Sequence, residues 1–353
     1  MRCLFALSAD YGEFVTANLL SRGQPFERRF ALPPSLAAQA GALDGAAAYA
    51  SPDELRAIVA RERPDAVVLA SGYLFAINGL FGPEALAALL AELRDGGIAL
   101  ATTDPWLRFL ALNAGARLTI HSVRQGGIDA AQSEKVRALQ RRLEAVLRDV
   151  PHLLAVPAPL AHACYNPAFA RQPQPAGDEW LFVLSQQDLN YLSPESFFPT
   201  LRERLIELLK NPRNRLRFIG PPALGRFLAE FPAVEYLGLT SFAAFEAALL
   251  RARVVAYWNA LSATALYCLY HGVAPFFFGR GHQAMVCEGL YEHAVEYVYR
   301  GEAPPMLALQ KPLEADAGAL VAAHGSYAWL DRIRSDYARL PSTSLVLEKL
   351  CSR

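Results

Sequence analysis

The sequence predicts an α/β protein with two parallel sheets, one in each half of the chain, facing across a cleft. Three observations predict it. Short apolar runs alternate with longer amphipathic stretches along the chain, the rhythm of strands joined by helices. The chain has 353 residues, more than one core usually organises, so two domains are expected. Between the halves, residues 157–178 carry Pro157, Pro159, Pro167, Pro173 and Pro175. Proline denies the backbone both helix and ladder hydrogen bonds, so this span reads as an interdomain linker.

In the first half, residues 1–156, the expected strands are 3–7, 66–70, 98–102, 117–121 and 153–156. Ser51-Pro-Asp-Glu opens a helix, with Ser at the cap, Pro at the first position and Glu three residues after the cap. Gly82-Pro-Glu opens the next helix, which stops at Asp95-Gly-Gly. Residues 131–148 form a charged amphipathic pattern. In the second half, residues 179–325, five strand–helix units follow one another. The strands are 180–184, 216–219, 234–237, 254–258 and 274–278. The helices are 199–209, 222–231, 241–252, 262–271 and one near 282–289. Residues 326–353 are expected to be helical and to cross back to the first domain.

Composition narrows the function. Hydrophobic residues make up 53% and charged residues 19%, against roughly 25% charged in an average domain. Wholesale disorder is excluded. Lys+Arg and Asp+Glu are both 34, so no net field draws the chain to nucleic acid or to an anionic membrane. The five cysteines form no CxxC, which supports neither a disulfide framework nor a zinc site and suits a cytoplasmic protein. The start, MRCLFALSADYGEF, reads as a strand and not a signal peptide. Residues 254–279 lack Asp, Glu and Lys and are long enough to mimic a membrane span. Asn259, Ser262, Thr264, His271, Gly272 and Pro275 interrupt them at strand–helix–strand spacing.

Ligands of open parallel sheets sit outside the carboxyl ends of the strands, so the residues after each strand are the candidates. Asp10 is either a general base or the cap of a helix starting near Tyr11. His121, at a strand end, is either functional or a satisfied structural group. Asp104, before Pro105, reads as a cap. Ser185-Gln186 and Gly220 close two strands of the second half, and Tyr236-Leu237 belongs to a third. The strand ending at Trp258 leads through Asn259 to Ser262-Ala263-Thr264, where small residues and hydroxyls let an anion approach a helix start. The competing reading is plain capping by Ser262. Arg280, between Gly279 and Gly281, is a cation suited to phosphate, or a surface arginine in a glycine turn. His282 and Gln283 follow it. No GxGxxG, GxxxxGK[ST] or GxSxG occurs, and no DxD follows any strand.

These residues carry a resemblance. The segment from Val254 through Asn259-Ala260-Leu261-Ser262-Ala263-Thr264 to His271-Gly272-Val273-Ala274-Pro275-Phe276 is similar to the donor domain of GT-B glycosyltransferases. Tyr236-Leu237-Gly238 followed by Ser241-Phe242 resembles that family's segment near the nucleobase. Gly281-His282-Gln283 resembles a loop near the donor sugar. The resemblance implies two Rossmann-like domains, a nucleotide-sugar donor in the second and an unknown acceptor in the first. It departs from the family in two places. The E-x7-E pattern is absent, with no acidic residue after Asn259 until Glu288, and Ala9-Asp10-Tyr11-Gly12 replaces a glycine loop. The expected activity is metal-independent sugar transfer without a cofactor, with Asp10 and His121 as catalytic candidates. A sugar-nucleotide epimerase or hydrolase on the same fold, or a non-catalytic binding protein, are the alternatives.

Overall fold

The computed structural model describes residues 1–8, 11–40, 45–69, 81–103, 138, 141–142, 145, 150–151, 153, 178–282, 284 and 289–352. The chain divides into two compact units. The first contains β1 (Arg2–Ala6), β2 (Glu27–Leu32), β3 (Ala46–Ala48), β4 (Ala66–Leu69) and β5 (Ala99–Thr102). All pairs are parallel, in the order β3-β2-β1-β4-β5. Helices Tyr11–Ser21, Pro34–Ala40, Pro52–Glu62 and Pro83–Asp95 connect the strands. Leu4, Ala6, Val67 and Leu69 put one face of this sheet into a core with Leu86, Leu89 and Leu90.

Local chemistry fixes the ends of these elements. Ser51 accepts the Glu54 N–H at 3.2 Å, and the Glu54 carboxylate turns back to the Ala50 N–H at 2.6 Å. Two amides that the helix cannot satisfy are thereby used. Arg63, at φ 47°, ends that helix in the left-handed region and gives its N–H to the Val59 carbonyl.

The second unit contains β6 (Glu179–Val183), β7 (Arg215–Ile219), β8 (Val234–Gly238), β9 (Val254–Tyr257) and β10 (Pro275–Phe277). They too are all parallel, in the order β10-β9-β6-β7-β8. The core is aromatic. Phe182 stacks on Phe218 at 4.4 Å and on Trp180 at 6.1 Å between ring centroids. Each sheet therefore starts at its middle strand and grows outward to both sides. The strand order reverses between β1 and β4, and between β6 and β9.

The structure differs from the sequence reading in several places. β2 and β3 are additional strands. The first half of β2, Glu27-Arg28-Arg29, is charged because it is partly exposed, and Glu27 pairs with Arg2 at 2.8 Å. β3 is three alanines at a sheet edge. The helix expected from 199 begins at Pro194, with Pro199 inside it, and a short helix Gln186–Tyr191 precedes it. Pro151 and Leu153 exchange backbone hydrogen bonds with Thr102, where the strand 153–156 is expected. The strand 117–121 and the linker up to 177 lie outside the described residues. In the pattern 131–148, positions 138, 141, 142 and 145 are helical.

Helices Ala317–Ala323 and Ser326–Tyr337 run in the stretch that clusters with the second unit, where Arg332 pairs with Glu302 at 2.7 Å. Helix Thr343–Cys351 belongs to the first unit, and the Ser344 N–H donates to Gln24 Oε1 at 3.1 Å. From Tyr337 onward the chain clusters with the first unit. Residues 254–279 resolve into β9, helix Ala263–His271 and β10. Among the described residues no helix is long and apolar enough to cross a membrane. Cys3 and Cys268 are buried, and burial pushes both thiols up, Cys268 to about 12.

Candidate functional site

β6, β9 and β10 are neighbours in the second sheet, and the turns at their carboxyl ends touch one another. The turn after β9 is seated first. Trp258 is buried against Phe278 at 5.0 Å and Phe197 at 5.7 Å. Asn259 is also buried, and its Oδ1 accepts the Leu261 N–H at 2.8 Å, which closes a tight side-chain turn. Below it the Tyr299 hydroxyl donates to the Ala260 carbonyl at 2.5 Å, and the Tyr257 hydroxyl to the Thr264 carbonyl at 3.2 Å.

This rigid turn delivers the start of helix Ala263–His271. Ser262 stands at the cap position but makes no side-chain cap bond. Its hydroxyl instead meets the Thr264 hydroxyl at 2.7 Å. No acidic residue lies in the first turn. Among the described residues no acceptor takes the N–H groups of Ala263 and Thr264. Capping by the Ser262 side chain is therefore not what the serine does. A helix start with free amides, two hydroxyls and no acid is a place for an anion.

The turn after β10 lies directly on this one. Gly281 has φ +93°, and a Cβ there would fall 2.0 Å from Asn259 Oδ1, so neither the backbone nor the space admits a side chain. The third turn follows β6. Ser185 caps helix Gln186–Tyr191 by accepting the Asp188 N–H at 2.9 Å, and its hydroxyl donates to Asp188 Oδ2 at 2.6 Å. Asp188 is buried, and its Oδ1 accepts both the backbone N–H of His282 at 3.1 Å and its ring Nδ1 at 2.8 Å. Burial works to raise the Asp188 carboxyl. The hydrogen bond and charge of His282, with Ser185, outweigh it and hold the group below the ordinary carboxylate range.

Other expected site residues are placed differently. Arg280 is exposed, 3.0 Å from the Glu292 carboxylate, with its guanidinium 4.4 Å from the Tyr291 ring centroid. Gln186 is exposed and donates to Asn190 at 2.7 Å. Both backbone groups of Gly220 serve the fold: its N–H reaches the Gly238 carbonyl at 3.3 Å, and its carbonyl accepts the Tyr236 hydroxyl at 2.8 Å. Leu237 is half-buried beside Gly238, at φ +68°. Asp10, His121 and Gln283 lie outside the described residues. The sequence reading missed Asp188, whose partner is 94 residues away. Among the described residues no three His, Cys, Asp or Glu side chains converge as a metal site would require.

No protein-family profile matches the chain, and no curated protein matches it by sequence. Solved structures match its fold. The spinosyn rhamnosyltransferase SpnG aligns over 100% of both chains at 13% identity and TM-score 0.53. The glycosyltransferase VinC, solved in complex with dTDP, aligns over 100% of both chains at 13% identity and TM-score 0.55. The glycosyltransferase SnogD from Streptomyces nogalater covers 100% of this chain and 99% of its own, at 14% identity and TM-score 0.54. The chain has the GT-B fold of these proteins, with two Rossmann-like parallel-sheet units.

Proposed function

We propose that this chain is a glycosyltransferase that moves a sugar from a nucleotide-sugar donor to an acceptor, with the donor's diphosphate at the start of helix Ala263–His271. One observation carries the reading. At the switch point of the second sheet, a helix begins with unused amides, the Ser262 and Thr264 hydroxyls and no acidic group. Open α/β sheets bind ligands at such switch points, and a helix N-terminus favours phosphate. The shared fold supports the reading, as do the neighbours solved with a bound nucleotide. VinC is in complex with dTDP, and SpnG has been solved with thymidine diphosphate.

The chemistry asked of this site is stabilisation of the leaving diphosphate. Fixed N–H dipoles supply it without reorganising during the reaction. Ser262 and Thr264 add hydroxyl donors. Arg280 joins only by leaving Glu292, a surface pair of small strength, so it takes a secondary part. Asn259 shapes the turn, and Tyr236 and Leu237 stand on the side assigned to the base. We assign no metal to the reaction, because the sequence carries no DxD after any strand. Asp10 and His121 are the acceptor-side candidates for taking the hydroxyl's proton.

A thermal-shift screen over nucleoside diphosphates and nucleotide sugars tests the proposal. A ligand at a hundredfold excess over Kd stabilises by about 2.7 kcal/mol. A shift with one base, followed by glycoside formation from an acceptor pool in EDTA, is expected. No shift with any nucleotide overturns the reading. Turnover lost in EDTA and restored by magnesium or manganese overturns the metal-independent form of it.

A further inference from the structure

We propose that Asp188 and His282 form the charged half of the diphosphate site, with Asp188 holding the ring by Nδ1–H and Nε2–H donating to a phosphate oxygen. The inference rests on the reading above and adds a residue pair to it. Three observations lead there. The His282 ring is anchored twice to one carboxylate oxygen, through its backbone N–H and through Nδ1. A carboxylate only accepts, so Nδ1 carries a proton and Nε2 is the remaining nitrogen. Nε2 has no hydrogen-bond partner among the described residues. Then there is position. Gly281, next to His282, lies against Asn259 of the turn that opens helix Ala263–His271. The loop that carries the ring therefore lies against the turn that opens the helix to which the diphosphate is assigned.

The geometry also explains why the cation is a histidine and not Arg280. Arg280 is exposed and engaged by Glu292 and Tyr291. His282 is largely buried, and the ring of Tyr191 stacks on it at 5.9 Å between centroids. Among the described residues, the titratable groups facing the ring are Asp188 and Tyr191 from helix Gln186–Tyr191. The Arg280–Glu292 pair stands two residues before it. The hydrogen bonds and charge around Asp188 hold its carboxyl below the ordinary range, so a counter-charge stands behind the ring. Asp188 is a positioning residue, since it acts through the ring. Ser185, donating to its other oxygen, fixes the carboxylate in turn.

The test is titration of UDP and dTDP, and of uridine and thymidine, into the wild-type chain, His282→Gln and Asp188→Asn. A charge-assisted bond of this kind corresponds to roughly ten- to a hundredfold in Kd. His282→Gln should weaken the preferred diphosphate by that factor and leave its nucleoside unchanged. Asp188→Asn should weaken the diphosphate less. In 15N-labelled protein, the His282 Nε2 resonance should move to the protonated position when the diphosphate binds. In Asp188→Asn, the Nδ1 proton should be held less tightly in the free protein, because the amide oxygen still accepts while the charge is gone. Because Asp188 is buried and its variant can misfold, His282→Gln decides alone. Unchanged diphosphate affinity in His282→Gln overturns the proposal, and so does equal loss for diphosphate and nucleoside. If no nucleoside diphosphate binds the wild-type chain, both this inference and the function above fail.

Discussion

The two sheets have the same strand order, and each central strand runs into a helix whose third residue is a buried acid. After β1 that residue is Glu13, and after β6 it is Asp188; each is 6% exposed. They are used differently. Glu13 turns back on its own turn and accepts the Ser8 N–H at 2.5 Å, five residues upstream. Asp188 is satisfied locally by Ser185 and spends its other oxygen on His282, 94 residues downstream. A carboxylate in the same topological place meets the Ser8 amide in one unit and ties two turns together in the other. The contact with His282 sets a second loop beside the first.

Gly281→Val should have the largest effect. It forces a branched residue to φ +93° with a Cβ at 2.0 Å from Asn259 Oδ1. Strain and overlap together are expected to cost about 2–4 kcal/mol. A calorimetric melt should show the loss, and the nucleotide shift should vanish with it. Glu13→Gln removes a charge but keeps an acceptor, so it should cost about 1 kcal/mol. Its effect should stay local: the melting temperature falls, and affinity for UDP or dTDP holds. A parallel loss of affinity would break the contrast between the two acids.

Ser262→Asp puts a carboxylate where the second unit has none. It should stabilise by about 0.5–1 kcal/mol through the free amides. It should also repel a diphosphate, weakening it at least tenfold in a titration. Tighter diphosphate binding would place the anion site elsewhere. The smallest effect concerns acid. The carboxyl of Asp188 is depressed on folding, so its contribution is present above the unfolded carboxylate range and is lost as pH falls through the lower folded value. Asp188→Asn should therefore start less stable near neutrality and lose less on acidification below about pH 4. Parallel acid-unfolding curves would show that the charge is not used.

Much of the second unit was legible because its strands are short apolar runs bounded by Gly, Pro and Ser. Val254 to Tyr257 and Pro275 to Phe277 sit within one or two residues of where the apolar pattern ends. β2 was not legible, since Arg28 and Arg29 are partly exposed and hide the period. The helix start at Ser262 was legible from its small residues, although its hydroxyl goes to Thr264 and not to a cap. Arg280 looked like the cation of the site because two glycines flank it. Glu292 and Tyr291 hold it, and nothing in the Gly-Arg-Gly spacing reveals them. Asp188 looked like an ordinary first-turn acid in Gln186-Gln187-Asp188, because its meaning lies in a contact across 94 residues.

The first unit recruits helix Thr343–Cys351 to the sheet that opens the chain, and Ser344 meets Gln24 across 320 residues. During synthesis β1 to β5 and helix Pro83–Asp95 emerge first, yet the part of the sheet's cover supplied by helix Thr343–Cys351 arrives only once the chain has been made through Cys351. The second unit, whose strands lie within residues 179–277, has its sheet complete much earlier. Long-range closure is slow because the loop's entropy is lost before the contact forms. The nascent protein therefore passes through a stage in which the later sheet is finished while the earlier one still exposes apolar surface. That stage is where chaperone dependence and aggregation would concentrate.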